Sequence, residues 1–214
     1  MSRALWIVPL AAGCAPVAPP TAAVPVPVEE AVPVVEDAAP NLPPAGYGSL
    51  RQDEFSVELT EGSVHVKTTP LTERVTRLAA PDTYDRLRAL AGSRRLQADQ
   101  MTEAVGAELF LVSFFSRDAD VEYRPDELQL THRGRLVRPV GIIPLTTGWG
   151  RQLLQPQQTQ SAIYVFEPPF DYDLPLIVRY GLESSDDWQR VILPLLEEER
   201  LRVTARSGGR PDTP

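Results

Sequence analysis

Between Ala15 and Gly46, nine of 32 residues are proline: Pro16, Pro19, Pro20, Pro25, Pro27, Pro33, Pro40, Pro43 and Pro44. Each fixes its own φ and removes a backbone donor, so neither helix nor sheet propagates through the stretch. Most of the rest is Ala and Val, with four acids (Glu29, Glu30, Glu36, Asp37) and no base. Valines at 24, 26, 28, 32, 34 and 35 imitate strand alternation, but the intervening prolines argue against a central strand. The expectation is a disordered, polyproline-like tether. At about 3.1 Å per residue its reach is at most roughly 100 Å. The part of the chain able to build a core therefore follows it, over residues 47–205.

That part reads as β. Phe55, Val57 and Leu59 alternate with polar residues, Thr60-Glu61-Gly62 supplies a turn, and Val64 and Val66 continue back, which predicts a hairpin. Leu109-Phe110-Leu111-Val112 and Phe114-Phe115, broken only by Ser113, predict a strand covered on both faces. Leu128 and Leu130 lead into the turn Thr131-His132-Arg133-Gly134, from which Val137, Val140, Ile142 and Ile143 return. Ala162–Phe166 predicts another central strand. Leu174, Leu176, Val178 and Tyr180 alternate, and Val191–Leu193 and Leu201–Val203 complete the strands. A helix is expected from Pro81-Asp82-Thr83 through Tyr84, Leu87, Leu90 and Ala91 to Gly92. The predicted fold is an immunoglobulin-like β-sandwich of seven to eight strands with one inserted helix, a β-barrel being the alternative. Residues 206–214 are expected to be a disordered tail.

The start of the chain has a different texture. Met1-Ser2-Arg3 precedes an apolar run from Ala4 to Ala12, then Gly13 and Cys14, the only cysteine. A basic start, an apolar stretch and small residues before a processing point are the parts of a secretory signal, here residues 1–13. Leu10-Ala11-Ala12-Gly13-Cys14 resembles a bacterial lipobox. The resemblance to bacterial lipoproteins implies a diacylglyceryl group on the Cys14 thiol, cleavage before it, and acylation of the new amino terminus, with palmitate the expected acyl chain. It implies nothing about the domain beyond the tether. Ala15, rather than an acid, follows the cysteine. In lipoproteins of diderm bacteria this is compatible with export to the outer membrane, so a lipid-anchored envelope location is expected. No run of 18 apolar residues exists to span a bilayer as a helix.

Few residues offer chemistry. A formal charge of −8 argues against nucleic acid as a partner. No Gly-x-Ser-x-Gly elbow occurs, and a lone cysteine excludes a multi-cysteine zinc site. His65, outward on its strand, and His132, in a turn, are expected to be solvated. Asp118-x-Asp120-x-Glu122 opens like a calcium loop, but Tyr123 stands where the turn glycine belongs and Gln129 where the last acid belongs, so no metal or other cofactor is expected. Asp171 and Asp173 form a second acidic turn.

Two groups remain as candidate ligand contacts. Gly148-Trp149-Gly150-Arg151 opens a polar connection rich in glutamine, and Trp149 either projects beside Arg151 to grip a ligand or plugs one end of the fold. Arg133, Arg135 and Arg138 cluster around the 131–134 turn, Arg133 and Arg135 sharing a strand phase, where they face an anionic surface or pair with neighbouring acids. The sequence thus points to a non-catalytic binding or structural module held at a membrane by its lipid, with an envelope polymer or protein as partner. The alternatives are a glycan hydrolase using paired carboxylates such as Asp120 and Asp171, and an assembly subunit pairing through a strand edge.

Overall fold

The computed structural model describes residues 42–103 and 106–208. Cys14, the leader and the tether as far as residue 41 lie outside the described residues, as do 104, 105 and 209–214. The domain is mainly β, built from three open sheets of five, four and two strands. No sheet closes on itself, which excludes the barrel.

The five-stranded sheet has the order β1 (Val57–Glu61), β2 (Val64–Pro70), β3 (Glu108–Phe115), β9 (Thr159–Phe166) and β7 (Gly141–Pro144), antiparallel throughout. The four-stranded sheet runs β11 (Glu183–Ser185), β10 (Leu176–Tyr180), β5 (Leu128–His132) and β6 (Arg135–Val137). A ribbon pairs β4 (Val121–Glu122) with β8 (Leu153–Leu154). The described residues thus hold eleven strand segments where the sequence pattern suggests seven or eight. β4, β6, β8 and β11 have only two or three residues each, too few for a period of two to register. Val137 and Ile142 do not share a strand either: β6 pairs with β5, whereas β7 pairs with β9 in the other sheet.

Both larger sheets feed one core. Phe110, Val112 and Phe114 point from β3 toward the four-stranded sheet, where Phe114 lies 5.4 Å from the ring of Tyr180. The Tyr164 hydroxyl donates to the Pro125 carbonyl (2.8 Å) across the same space. The opposite phase of β3, Leu109 and Leu111, is also buried, as the continuous apolar run requires.

The described residues also hold three α-helices, α1 (Glu73–Thr76), α2 (Pro81–Asp99) and α3 (Leu193–Gly208). α2 does not stop at Gly92. That glycine sits exposed within the helix, where it costs about 1 kcal/mol relative to alanine, and burial of Leu87, Ala91 and Ala98 on the core side carries the helix past it.

The C-terminal segment is helical, not the two strands expected at Val191–Leu193 and Leu201–Val203. A π-helical turn, Trp188–Ile192, runs into α3, and the helix takes in the first residues of the expected tail. Ile192, Leu196, Glu199 and Val203 are buried at four- and three-residue spacing, the stripe of a helix. Glu199 disguises that stripe. Its carboxylate accepts from the Ser49 amide (2.9 Å), the Ser49 hydroxyl (2.8 Å) and Arg206 (2.9 Å). Burial pushes its pKa up, but the bonds from Ser49 and the Arg206 guanidinium outweigh this and hold it below the ordinary value. Arg206 also donates to the Tyr47 carbonyl (2.6 Å), so α3 clamps the segment by which the chain enters the domain. Pro43 is already buried, which extends the packed domain back into the stretch expected to be tether.

Candidate functional site

Strand register decides which side chains share a face. On the side of the five-stranded sheet away from the core, Thr60, His65, Phe115 and Thr159 lie in one row across β1, β2, β3 and β9. The next row is Glu58, Lys67, Ser113 and Ser161. Beyond it, Leu111 and Ile163 are buried. The two polar rows form the floor of an open groove of about 590 Å³ that also reaches Leu111. Gln52 and Arg86 line it from the side and Arg117 from beyond the end of β3.

The groove is held in place by short polar contacts. The Ser113 and Ser161 hydroxyls share a hydrogen bond (2.8 Å), and Thr60 is bonded to His65 Nδ1 (2.9 Å). Gln52 donates to Thr69 (2.9 Å) and accepts from Arg86 (2.8 Å), which fixes that guanidinium over the floor. Lys67, the chain's only lysine, pairs with Asp53 (2.7 Å) and Glu58 (2.8 Å). Burial pulls the Lys67 pKa down, but bonds to these two carboxylates more than reverse it, while the Lys67 ammonium holds Asp53 below the usual carboxylate range. With two carboxylates to one ammonium, the triad carries a formal charge of −1. Among the described residues, neither Arg86 nor Arg117 has a carboxylate partner.

The residues singled out by sequence lie elsewhere. Trp149 is only 8% exposed and packs edge-on against Phe114, Tyr123 and Tyr164, so it is a plug and does not project. Gly148, at φ +91, turns the chain into the short 3-10 segment Trp149–Arg151 that points the indole inward. Arg151 remains exposed outside. Arg133 does not share a strand phase with Arg135: Arg133 and Gly134, both at positive φ, are the two-residue loop between β5 and β6. Arg133 pairs with Asp171 (3.4 Å), whereas Arg135 and Arg138 are exposed. Short β6, flanked by these arginines, makes a poor template for edge pairing.

Asp120 and Asp171 lie toward opposite ends of β3. The Asp171 amide donates to His132 (3.2 Å), and next to it the Tyr172 hydroxyl donates to Glu108 (2.8 Å), the first residue of β3. Asp120 lies five residues beyond the end of β3 and accepts from Gln155 (2.8 Å). A strand of that length separates the two ends by about 23 Å, far more than two carboxyls flanking a glycosidic bond allow. Asp118 accepts from Ser63 (2.6 Å) and Glu122 is paired into β4. Among the described residues no three or more His, Cys, Asp or Glu side chains are grouped to hold a metal, and no helix is long and apolar enough to cross a membrane.

His132 is not solvated. It is 6% exposed at the end of β5, and its ring stacks on Phe170 at 4.9 Å and 15°. Its Nε2 accepts the Asp171 amide, which requires the neutral ring. Burial first, then the Arg133 charge, lowers its pKa; the Pro175 backbone and Asp171 oppose them without reversing the sign. The unfolded chain therefore binds a proton below about pH 6.5 that the folded one resists, and folding stability falls with acidification through the window below that value. Thermal melts between neutral pH and the acid side of this window should fall less steeply for His132→Gln than for the parent. Parallel curves would refute the assignment.

Comparison with protein-family models, with curated proteins and with solved structures returns no match, so the groove's chemistry must be read from its own residues.

Proposed function

We propose that this chain is a lipid-anchored envelope protein whose β domain, an embellished immunoglobulin-like sandwich, serves as a non-catalytic binding module with the groove over β1, β2, β3 and β9 as its binding face. The observation that carries the reading is the half-covered sheet. Leu111 and Ile163 on this face are buried, while Thr60, His65, Ser113, Phe115, Thr159 and Ser161 are left to line a cavity of ligand size. Hydroxyls that both donate and accept, beside a half-buried aromatic ring, suit recognition better than reaction. Glu58, the carboxylate among the lining residues, is tied to Lys67. The anchor part of the proposal rests on the leader and Cys14, and the Pro-rich segment then sets the domain away from the lipid surface.

Two substitutions in the full chain test the two parts separately. Cys14→Ser removes the thioether site and should move the protein from the membrane fraction of its native host to the soluble fraction. Thr159→Trp, at an exposed strand position, should fill the groove without disturbing the core and lower retention on insoluble envelope material by about tenfold or more. Unchanged fractionation of Cys14→Ser would dismiss the anchor, and equal retention of Thr159→Trp would dismiss the groove.

A further inference from the structure

We infer that the groove takes an acidic oligosaccharide, a chain of hydroxyl-rich rings carrying carboxylates; this rests on the binding reading above and names its ligand class. Charge is the first argument. The whole chain carries −8, yet the groove presents two guanidiniums, Arg86 and Arg117, with no carboxylate opposite them among the described residues. Lys67 adds nothing to this, since Asp53 and Glu58 outnumber it and leave that triad at −1. The two guanidiniums and the triad together leave the groove a formal +1 on an acidic body, and that charge sits on planar forks that match carboxylates. Arg86 is pre-positioned by a neutral partner, Gln52 (2.8 Å), so its charge is oriented but unspent.

The floor supplies the second argument. Both polar rows consist of side chains on a sheet whose central strands, β2 and β3, are paired on both edges. A peptide laid over the floor would find a ladder to join only at the edge strand β1, so the usual source of affinity for an extended peptide is missing from the rest. The floor instead offers short hydroxyls at strand spacing and the adjacent rings of Phe115 and His65, 6.0 Å apart. Those are partners for sugar hydroxyls and for the apolar face of a sugar ring. Two unpaired cations on an acidic protein are too few to hold a nucleic acid.

The experiment is calorimetric titration of the full chain, its Arg86→Gln and Arg117→Gln variants, and Thr159→Trp, with three probes: oligogalacturonate, its methyl ester, and inorganic polyphosphate. Oligogalacturonate should bind the parent. Each arginine substitution should weaken it by about tenfold, esterification by at least as much, and added salt should weaken it further. Equal binding of acid and ester, or unchanged affinity in both arginine variants, overturns the inference. So does binding of polyphosphate alone. Should none of the probes bind while Thr159→Trp still abolishes retention on envelope material, the ligand class is wrong and the binding module stands. Loss of both results overturns the binding reading with it.

Discussion

Trp149→Ala is expected to lower stability by about 3–5 kcal/mol, the range for a buried large aromatic, and the melting temperature by roughly 6–20 °C for a domain of this size. The indole fills the space between the two larger sheets at the end closed by the β4–β8 ribbon. It touches Phe114 at 5.8 Å and Tyr123 at 5.5 Å between ring centroids, and the Tyr123 hydroxyl donates to its carbonyl (3.2 Å). Truncation leaves a cavity ringed by aromatics of two different strands and a loop, so collapse around it is restricted. Arg151→Ala, two residues on and exposed, should change stability by no more than about 0.5 kcal/mol. Thermal melts of both variants make the comparison. An unshifted melt for Trp149→Ala would return the indole to the surface, where it could meet a ligand.

Gly48→Ala should cost at least about 3 kcal/mol, beyond ordinary overpacking because the obstructing atoms are backbone. A Cβ at position 48 would overlap the Leu78 carbonyl group and crowd that of Ala79. The entering chain lies this close because Leu50 bridges to Ala79 in parallel register, donating to Leu78 O (3.1 Å) and accepting from Ala80 N (2.9 Å). Ser49 between them is held by Glu199 of α3. The substitution therefore strikes at the point where the first described segment, the α1–α2 connection and the last helix meet. Denaturant titration should show the midpoint moving down with little change in slope. Gly92→Ala serves as the control, since nothing lies within 4 Å of its Cβ position; an equal midpoint shift in both would show that close packing at 48 is not the cause.

Local pattern determined a good deal of this domain. The alternation across Val57–Leu59 and Val64–Val66 specifies the β1–β2 hairpin, and the apolar run at 109–115 specifies a strand covered on both sides. Pro81 followed by Tyr84, Leu87 and Ala91 specifies where α2 starts. These are short-range signals, legible because a side chain's direction in a strand or helix depends only on its own neighbours. The signals failed where a long-range partner altered the meaning of a residue. Glu199 breaks the helical stripe of α3 until Ser49, 150 positions away, supplies its partner. His132 reads as a solvated turn residue until Phe170 stacks on it.

The groove illustrates the same division. Ser113 is visible in the sequence as the lone break in an apolar run, and His65 and Lys67 as the polar phase of β2. Nothing local says that Ser113 lies between Lys67 and Ser161, or that burial stops one row short of them. The phase of the longer strands was legible in the sequence, because period-two alternation is a property of a single segment. Only the folded structure set the register between strands that are distant in the chain, because that depends on burying every apolar face at once, and with it which polar side chains came to share one surface.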